Sequence, residues 1–390
     1  MRTLIVFGLV CLTSVAAMGQ VPIPAADVLI VADESGSMTQ AHFDWLADLI
    51  TGLEADYASA KVGVEPGYPN RYRLVGFGND DPGHGAGAFL AHFHGGWMNA
   101  TDMAAFVPTA LALDAPQPGG HLEDGYEAME LALTAGFRDG SYRAIILITD
   151  EDRDDVDSVT REQICLLLEA AKATPNSIVT ASNSDPSFAD LLGVDWDGTA
   201  YLADGSGDGY MTVPGGSFDT FDGDTKADYV ELSWDLCGAT WDIDQTQTAN
   251  EDNLINAYGD VKVEELKPRV RTVGAVTCAD KMLAIAYLES DGGQICTFWF
   301  EYRDQGSAVW KKSPKWFGGQ TGWISVEITG LTPETWYQIR AVVENAVFKT
   351  TSDELMFVAT RAEGAVCPEN WGSGNINTTL DIREDCGCDL

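Results

Sequence analysis

The sequence predicts two regions of different fold class: an α/β domain with a doubly wound, Rossmann-like sheet, followed by an all-β sandwich. From residue 27 to about residue 265, apolar strands alternate with amphipathic helices, which is typical of a mostly parallel sheet covered by helices. After residue 267 the pattern changes to short strands with period-2 alternation, separated by Gly, Pro and Asp turns. A hydrophobic fraction of 45% over 390 residues is ample for two packed cores.

An export signal precedes the first domain. Residues 1–19 combine Arg2, an apolar run over 4–17 and small residues at Ala17 and Gly19. This is the pattern of a secretory signal peptide, and it predicts cleavage after Gly19. No later apolar run reaches the roughly 18 residues of a membrane span, so we expect a secreted or cell-surface protein without membrane insertion.

Local patterns define the elements of the α/β domain, residues 25–266. The first strand, 27–33, is an apolar run, and in the helix over 41–53 Phe43, Leu46 and Ile50 share one face. The strand over 142–149 contains an unbroken apolar core, as expected for a strand buried on both faces. The other predicted elements are a strand at 71–77, an edge or hairpin strand at 88–97, helices at 101–113, 123–135 and 160–173, a strand at 177–181 and a helix at 229–237.

A Gly- and Asp-rich stretch, residues 204–228, interrupts this alternation. Its composition predicts a solvated loop. Its carboxylates could instead hold calcium, although no window matches the spacing of an EF-hand loop.

The second domain, residues 267–362, has the signature of an immunoglobulin-like sandwich. Five of the eleven tryptophans fall in it, and a tail over 363–390 follows without clear periodicity. Its predicted strands are 282–288, 295–302, 323–328, 335–343 and 355–359.

Seven cysteines remain after removal of the signal segment, and in an exported protein they are expected to form disulfides. Cys278 and Cys296 share one β-rich segment and are the expected pair, while Cys367 could pair with Cys386 or Cys388. The odd count leaves at least one thiol unpaired within the chain.

The charge distribution narrows the classes of partner. The chain carries 23 basic and 60 acidic residues, a net charge of −37, which disfavours nucleic acid and anionic membranes. Residues 20–266 carry −34 of this charge and residues 267–362 carry +1. The acidic domain therefore attracts divalent cations and repels acidic partners until a metal is bound.

A set of oxygen-bearing residues follows the predicted strands of the acidic domain. Asp33, Ser35 and Ser37 come after the first strand, Asp150 follows the strand at 142–149, and Glu123 begins a helix. Loops at the carboxyl ends of parallel strands open on the same edge of a sheet, so these side chains are expected to converge. Three carboxylates and two hydroxyls suit Mg²⁺, Ca²⁺ or Mn²⁺. The alternative is that they cap helices and form turns.

The sequence Asp33-Glu-Ser-Gly-Ser-Met38, with a later Thr149-Asp150 strand end, resembles the metal-ion-dependent adhesion site of von Willebrand factor A domains. The stretch that begins at Glu123 is similar to one in the integrin β inserted domain, and the resemblance makes Glu123 a ligand in place of the usual threonine. The acidic residues of integrin β's adjacent second calcium site are missing, because Ser37-Met-Thr-Gln40 follows.

The resemblance implies a secreted, non-enzymatic adhesion or protein-binding protein. The metal would coordinate an Asp or Glu of an extracellular protein ligand. A site with three protein carboxylates would be less electrophilic, which predicts weaker or Ca²⁺-tolerant adhesion. The alternatives are a metal-assisted hydrolase that uses the same cluster, and a structural surface or matrix component.

Three further motifs stand outside this set. Leu331-Thr-Pro-Glu-Thr-Trp-Tyr337 resembles the tyrosine corner of fibronectin type III domains, in which the tyrosine hydroxyl bonds to preceding backbone. His92-Phe-His94 could bind a metal, but without a third histidine nearby we interpret it as a surface strand face. The basic and aromatic segment 310–316 is a strand connection or a docking patch for a glycan or an acidic protein.

Overall fold

The computed structural model describes residues 24–78, 91–111, 124–154, 159–318, 321–353, 355–365 and 367. The predicted signal segment, Glu123 and nearly all of the tail over 363–390 lie outside the described residues. A nine-stranded mixed sheet with helices occupies residues 24–266, the mixed-sheet region, and antiparallel sheets occupy residues 267–365, the antiparallel region.

The mixed-sheet region contains eleven strands and six α-helices among the described residues. The strands are β1 Ala26–Asp33, β2 Arg71–Phe77, β3 His92–Phe93, β4 Tyr142–Thr149, β5 Ala173–Val179, β6 Ala181–Ser182, β7 Leu191–Asp195, β8 Thr199–Ala203, β9 Tyr210–Pro214, β10 Thr220–Phe221 and β11 Ala239–Asp242. The helices are α1 Leu46–Ser59, α2 Ala100–Ala110, α3 Gly125–Leu133, α4 Arg161–Ala171, α5 Glu231–Asp235 and α6 Glu251–Glu265. Short 3₁₀ turns lie at Gln40–His42, Pro186–Phe188 and Ile243–Gln247, and a π-helical turn lies at Lys226–Val230.

The sheet has the order β3-β2-β1-β4-β5-β11-β7-β8-β9. Its five central strands, from β2 to β11, run parallel, and the flanking strands pair antiparallel. Alternate residues of β1 enter two separate cores: Val28 and Ile30 pack with residues of α1, α2 and α6, whereas Leu29 and Val31 pack with residues of α3 and α4. Helices therefore cover both faces of the parallel part of the sheet, as the sequence predicts.

The predicted strands at 71–77 and 142–149 have the observed bounds. Of the edge or hairpin strand predicted over 88–97, the described residues contain only the two-residue strand β3, at the edge of the sheet. The helix predicted over 41–53 is displaced: a 3₁₀ turn occupies Gln40–His42, and α1 runs from Leu46 to Ser59. The prediction of one loop over 204–228 is wrong. Residues 204–209 form the turn between β8 and β9, and β10 and the π-helical turn follow.

The antiparallel region consists of two antiparallel sheets that share one apolar core, which includes Met282, Phe298 and Ile339. All five predicted strands are present within two residues of their predicted bounds, and the strands β12, β15, β16 and β19 were not predicted. Its strands are β12 Arg269–Thr277, β13 Lys281–Ser290, β14 Cys296–Asp304, β15 Lys311–Lys312, β16 Trp316–Gly318, β17 Gly322–Thr329, β18 Trp336–Glu344, β19 Lys349–Thr351 and β20 Met356–Ala359. The Tyr337 hydroxyl accepts a hydrogen bond from the backbone N–H of Thr332 at 2.9 Å, the contact expected of a tyrosine corner.

The predicted Cys278–Cys296 disulfide is wrong, because Cys278 is bonded to Cys367. Cys278 follows β12 in the three-stranded sheet, whereas Cys296 begins β14 in the other sheet and carries a free, buried thiol. The segment after β20 returns alongside Cys278, whose carbonyl accepts the N–H of Arg361, and this brings the Cα atoms of Cys278 and Cys367 to 5.1 Å. Cys165 and Cys237 are also disulfide-bonded.

Polar contacts join the two regions. Lys172 donates to Asp291 at 2.6 Å, and the Asn345 amide donates to the Leu266 carbonyl at 2.8 Å. Gly292 lies against Leu266 with φ +65°, where a Cβ would be 2.2 Å from the Leu266 carbonyl oxygen. A close backbone approach at this joint therefore requires a glycine.

Candidate metal centre

Four of the five oxygen-bearing residues predicted from the sequence, Asp33, Ser35, Ser37 and Asp150, meet where β1 and β4 end. The two strands are parallel neighbours, with Ala32 opposite Ile148, so the turn after Asp33 and the turn after Thr149 leave the sheet side by side. Parallel sheets form their sites at this edge because successive turns open there together.

A continuous chain of hydrogen bonds links four of the five predicted residues. The Asp33 carboxylate accepts the backbone N–H of Ser35 at 2.8 Å, and the hydroxyls of Ser35 and Ser37 are 2.8 Å apart. The Ser37 hydroxyl donates to Asp150 at 2.8 Å. The second oxygen of Asp33 accepts the hydroxyl of Thr149 at 2.8 Å, which fixes the carboxylate across the two strands. The fifth residue, Glu123, lies outside the described residues.

The spacing of these oxygens fits a small hard cation. Mg²⁺ takes oxygen ligands at about 2.0–2.1 Å in an octahedron, so neighbouring ligands lie about 3.0 Å apart. The gaps of 2.8 Å from Ser35 to Ser37 and from Ser37 to Asp150 are close to that edge length. Asp33 and Ser35 are 0% and 3% exposed, so one side of the set is shielded from water.

An ion pair behind the site holds two of its loops together. Arg153, on the turn after β4, donates to both carboxylate oxygens of Asp124 at 2.8 Å. Asp124 also caps α3 by accepting the N–H groups of Tyr126 and Glu127. Both partners are nearly buried, with side chains 9% and 2% exposed. This clamp joins the start of α3 to the turn after β4.

Further acidic groups surround this edge. Partial burial raises the pKa of Glu151, and the neighbouring Asp150 adds to the rise. Burial also raises the pKa of Asp228, whose carboxylate accepts the N–H of Arg153. The Asp152 carboxylate accepts the N–H of Asp224, on the turn before the π-helical turn. The second half of the stretch predicted as a loop thus contributes to the acidic rim of the site.

A second group with metal-binding side chains lies beside the first. Glu34, His92 and His94 form a group that could hold a metal ion, since their ligand atoms all lie within 4.8 Å of one another. The sequence predicts a surface strand face for the two histidines, because no third histidine lies near them in the sequence. The missing partner is a carboxylate, Glu34, inside the first motif. The sequence contains Glu34 and the His-x-His pattern, but it does not show that β3 pairs with β2 and so brings these residues together.

A cleft lies away from the oxygen set. A cavity of about 440 Å³ opens between the two regions and is lined by residues that include Lys172, Cys237, Glu265 and Asp291. It borders Ala173, where β5 begins, and therefore lies at the amino end of the parallel strands, opposite the oxygen set. Its lining includes the Lys172–Asp291 ion pair of the joint, so we interpret it as part of the contact between regions.

The segment 310–316 contributes to a cationic and aromatic face of the antiparallel region. The ammonium groups of Lys312, Lys315 and Lys349 lie 4.6–5.3 Å from the ring of Trp299. The guanidinium groups of Arg303 and Arg340 lie 4.4 and 4.3 Å from the ring of Trp310. The segment is not only a connection between strands, because it contains the short strand β15 and the first residue of β16.

Among the described residues, none of the helices combines the length and the apolar character that crossing a membrane requires.

Comparisons with known proteins assign no family. No family model matches the chain, and no curated protein matches it. Among solved structures, proximal thread matrix protein 1 from the mussel byssus is similar over 67% of this chain and 51% of its own, at 12% identity and a TM-score of 0.35. The sensor domain of the anti-sigma factor RsgI4 in Pseudobacteroides cellulosolvens aligns with 24% of this chain and 95% of its own, at 20% identity and a TM-score of 0.21. Titin domains A168–A170 align with 24% of this chain and 32% of theirs, at 22% identity and a TM-score of 0.19. At these scores the similarities carry no inference about function.

Proposed function

We propose that the chain is a secreted, non-enzymatic protein that binds an extracellular protein ligand through a divalent cation held by Asp33, Ser35, Ser37, Glu123 and Asp150. The observation that carries the proposal is the chain of 2.8 Å contacts from Asp33 through both serines to Asp150. Two independent loops contribute it, and its oxygen donors are those that Mg²⁺ prefers, with Ca²⁺ and Mn²⁺ as the alternatives.

The proposed ligand is a protein that presents an Asp or Glu side chain. A cation in this set supplies a Lewis-acidic position at which a partner's carboxylate can complete the coordination. The chain's own residues exclude water from one side and hold the two serine hydroxyls toward that position. The surrounding acidic residues, part of a net charge of −34 over residues 20–266, repel such a carboxylate when no metal is present. Binding is therefore expected to require the metal.

The proposed architecture is a von Willebrand factor A-like domain over 25–266 and a fibronectin type III-like domain over 267–362. Support for the first is the parallel centre of the sheet with helices on both faces and the position of the oxygen set. Support for the second is the pair of antiparallel sheets around one core and the Tyr337–Thr332 contact. The predicted signal segment and the Cys278–Cys367 disulfide support export.

Titration calorimetry with Mg²⁺ and Ca²⁺ tests the proposal. We expect the wild-type protein to bind at least one Mg²⁺, and Asp33→Ala and Asp150→Ala each to abolish that binding. Asp139→Ala is the matched control, because it removes the same charge from a side chain that is 77% exposed. Equal binding by the wild type and both site variants would refute the metal site. Capture of a partner from native extracellular material that is unchanged by EDTA would refute the metal-dependent adhesion.

A further inference from the structure

The second cluster, Glu34 with His92 and His94, stands one residue away from Asp33 on the same turn. We propose that these three side chains bind a separate divalent cation of borderline character, such as Zn²⁺. None of them belongs to the oxygen set, so the inference is independent of the proposed function.

The donor types point to a metal different from Mg²⁺. Two imidazole nitrogens and one carboxylate oxygen form a borderline ligand set, which suits Zn²⁺ and, by the same chemistry, Ni²⁺ and Cu²⁺. Mg²⁺ prefers oxygen ligands and gives up its water reluctantly. Adjacent positions of one turn would therefore discriminate between a hard cation at Asp33 and Ser35 and a borderline cation at Glu34.

The distances are close to those of a tetrahedral site. Zinc ligands at about 2.0–2.1 Å from the metal lie about 3.4 Å from each other. The Nε2 atom of His94 lies 2.8 Å from Glu34 Oε1, and the Nε2 atom of His92 lies 3.5 Å from Glu34 Oε2. The two imidazole rings are 4.4 Å apart at an angle of 59°, so both can turn a nitrogen toward the same point.

The carboxylate of Glu34 is buried, with only 4% of the side chain exposed. Its Oε1 atom contacts His94, whereas its Oε2 atom has no hydrogen-bond donor within the described residues. A buried carboxylate oxygen without a donor is destabilising unless water or a cation fills the gap. A cation bound between Glu34 and the two histidines would lie next to this oxygen.

A glycine on the intervening strand makes the cluster possible. Strand β2 lies between β1 and β3, so Glu34 must reach across it to meet the histidines. At the crossing point stands Gly76, opposite His92 in the β2–β3 ladder. A Cβ at Gly76 would be 2.1 Å from Glu34 Oε2 and 2.6 Å from His94 Nε2. Any larger residue would therefore occupy the space in which these side chains meet.

A cation in this place would tie three segments together. Within the described residues, the ladder between β2 and β3 contains two residue pairs, Val75–Phe93 and Gly76–His92. The backbone N–H of Glu34 donates to the Phe77 carbonyl at 2.7 Å, so the turn after β1 already lies against β2. The ion would link that turn to the edge strand β3, and it would hold the Glu34 side chain in place.

The test is Zn²⁺ titration of the full mature chain after EDTA treatment, in a millimolar excess of Mg²⁺ that saturates weak carboxylate sites. We expect one Zn²⁺ per chain. His92→Gln and His94→Gln should each weaken the affinity more than tenfold, because even outer-shell partners of metal ligands contribute about 10–100-fold. The double variant should lose the tight site.

Matched variants separate this site from its surroundings. Glu65→Gln removes an exposed carboxylate and should leave Zn²⁺ affinity unchanged, whereas Glu34→Gln should weaken it more than tenfold. Asp150→Ala should also leave it unchanged, because Asp150 belongs to the oxygen set. The proposal is overturned if the histidine variants bind Zn²⁺ as the wild type does, or if Asp150→Ala alone removes the site.

Gly76→Ala provides a second route that keeps all three ligands. The added methyl group should weaken Zn²⁺ binding about as much as His94→Gln. Circular dichroism and urea unfolding in EDTA identify variants that remain folded, and only those are compared. A folded Gly76→Ala protein with wild-type Zn²⁺ affinity would also overturn the assignment.

Discussion

Strand β1 carries a buried aspartate at each end, and the two have opposite surroundings although both are 0% exposed. Asp27, at the amino end, accepts hydrogen bonds from the guanidinium groups of Arg71 and Arg138 at 2.5–2.8 Å. Asp33, at the carboxyl end, accepts the Ser35 N–H and the Thr149 hydroxyl. One carboxylate is balanced by cations built into the chain, and the other belongs to a set of oxygens that suits an exchangeable cation.

The two ends of β1 therefore have different roles: the amino end stabilises the fold, and the carboxyl end belongs to the proposed metal site. At Asp27, burial alone would raise the pKa, but the hydrogen bonds from Arg71 and Arg138 outweigh it and hold the pKa below its ordinary value. Its ionised form therefore contributes to stability at neutral pH. At Asp33 the Ser35 N–H and the Thr149 hydroxyl are neutral donors, and the proposed metal would balance the negative charge of the set.

The largest expected effect is at the amino end. Asp27→Asn removes the carboxylate that both arginines share and leaves them partly buried without their partner. We expect the free energy of unfolding to fall by about 3 kcal/mol, in the range found when one side of a buried ion pair is removed. Urea unfolding at pH 7 in EDTA measures it.

The control for that measurement is Asp139→Asn, an exposed acid 3.9 Å from Arg143, which should change stability by less than about 0.5 kcal/mol. Because the pKa of Asp27 is lowered, its contribution is present above the unfolded pKa and is lost as the pH falls through the folded one. A difference between wild type and Asp27→Asn that persists unchanged to low pH would contradict the assigned role.

Asp195 extends the comparison, because it shares neither the paired arginines of Asp27 nor the oxygen set of Asp33. Burial raises the pKa of Asp195 to about 7, and the charge of Glu265 adds to the rise. A raised acid pKa means that the native state holds more protons, so stability falls as the pH rises from about 4 to 7. Asp195→Asn should remove this slope and gain about 1–3 kcal/mol at pH 8, below the limit of about 1.4 kcal/mol per pKa unit.

Urea unfolding at several pH values measures the Asp195 effect. Asp139→Asn is the matched control, since Asp139 is 77% exposed and does not contribute to the pKa shift of Asp195. A wild-type pH slope that survives in Asp195→Asn would show that another group is responsible, for example Asp242, whose pKa burial raises to about 6.

The comparison also shows what sequence can establish about this fold. The strands β1, β2 and β4 were predicted within one residue because strands buried on both faces are continuous apolar runs. Strands β7, β8 and β9 were missed, since they are five residues long and β9 is largely exposed, so the pattern on which prediction depends is weak. The helix α6 was missed because its buried residues lie on several sides, so they do not form the one-sided apolar pattern that predicts a helix.

The candidate site shows the same limit. Asp33, Ser35, Ser37 and Asp150 could be predicted together because each follows a recognisable strand and parallel strands end at one edge. The grouping of Glu34 with His92 and His94 could not, because it depends on β3 pairing with the far side of β2 across Gly76. The Cys278–Cys367 disulfide depends likewise on the return of the chain after β20.

The smallest expected effect is at the carboxyl end of β1. In EDTA, Asp33→Asn should change the free energy of unfolding by about 1 kcal/mol or less, the usual worth of one hydrogen bond. The amide oxygen of Asn can still accept the Ser35 N–H, and the Thr149 hydroxyl can turn to accept the new amide N–H. Urea unfolding measures the change beside Asp27→Asn.

The addition of Mg²⁺ should distinguish the two aspartates further. Wild type and Asp27→Asn should both gain stability as Mg²⁺ is added, because an ion that binds only the folded state shifts the unfolding equilibrium by mass action. Asp33→Asn should gain none. If Asp33→Asn loses about 3 kcal/mol in EDTA, as much as expected for Asp27→Asn, then both aspartates serve the fold and the contrast between the two ends of β1 fails.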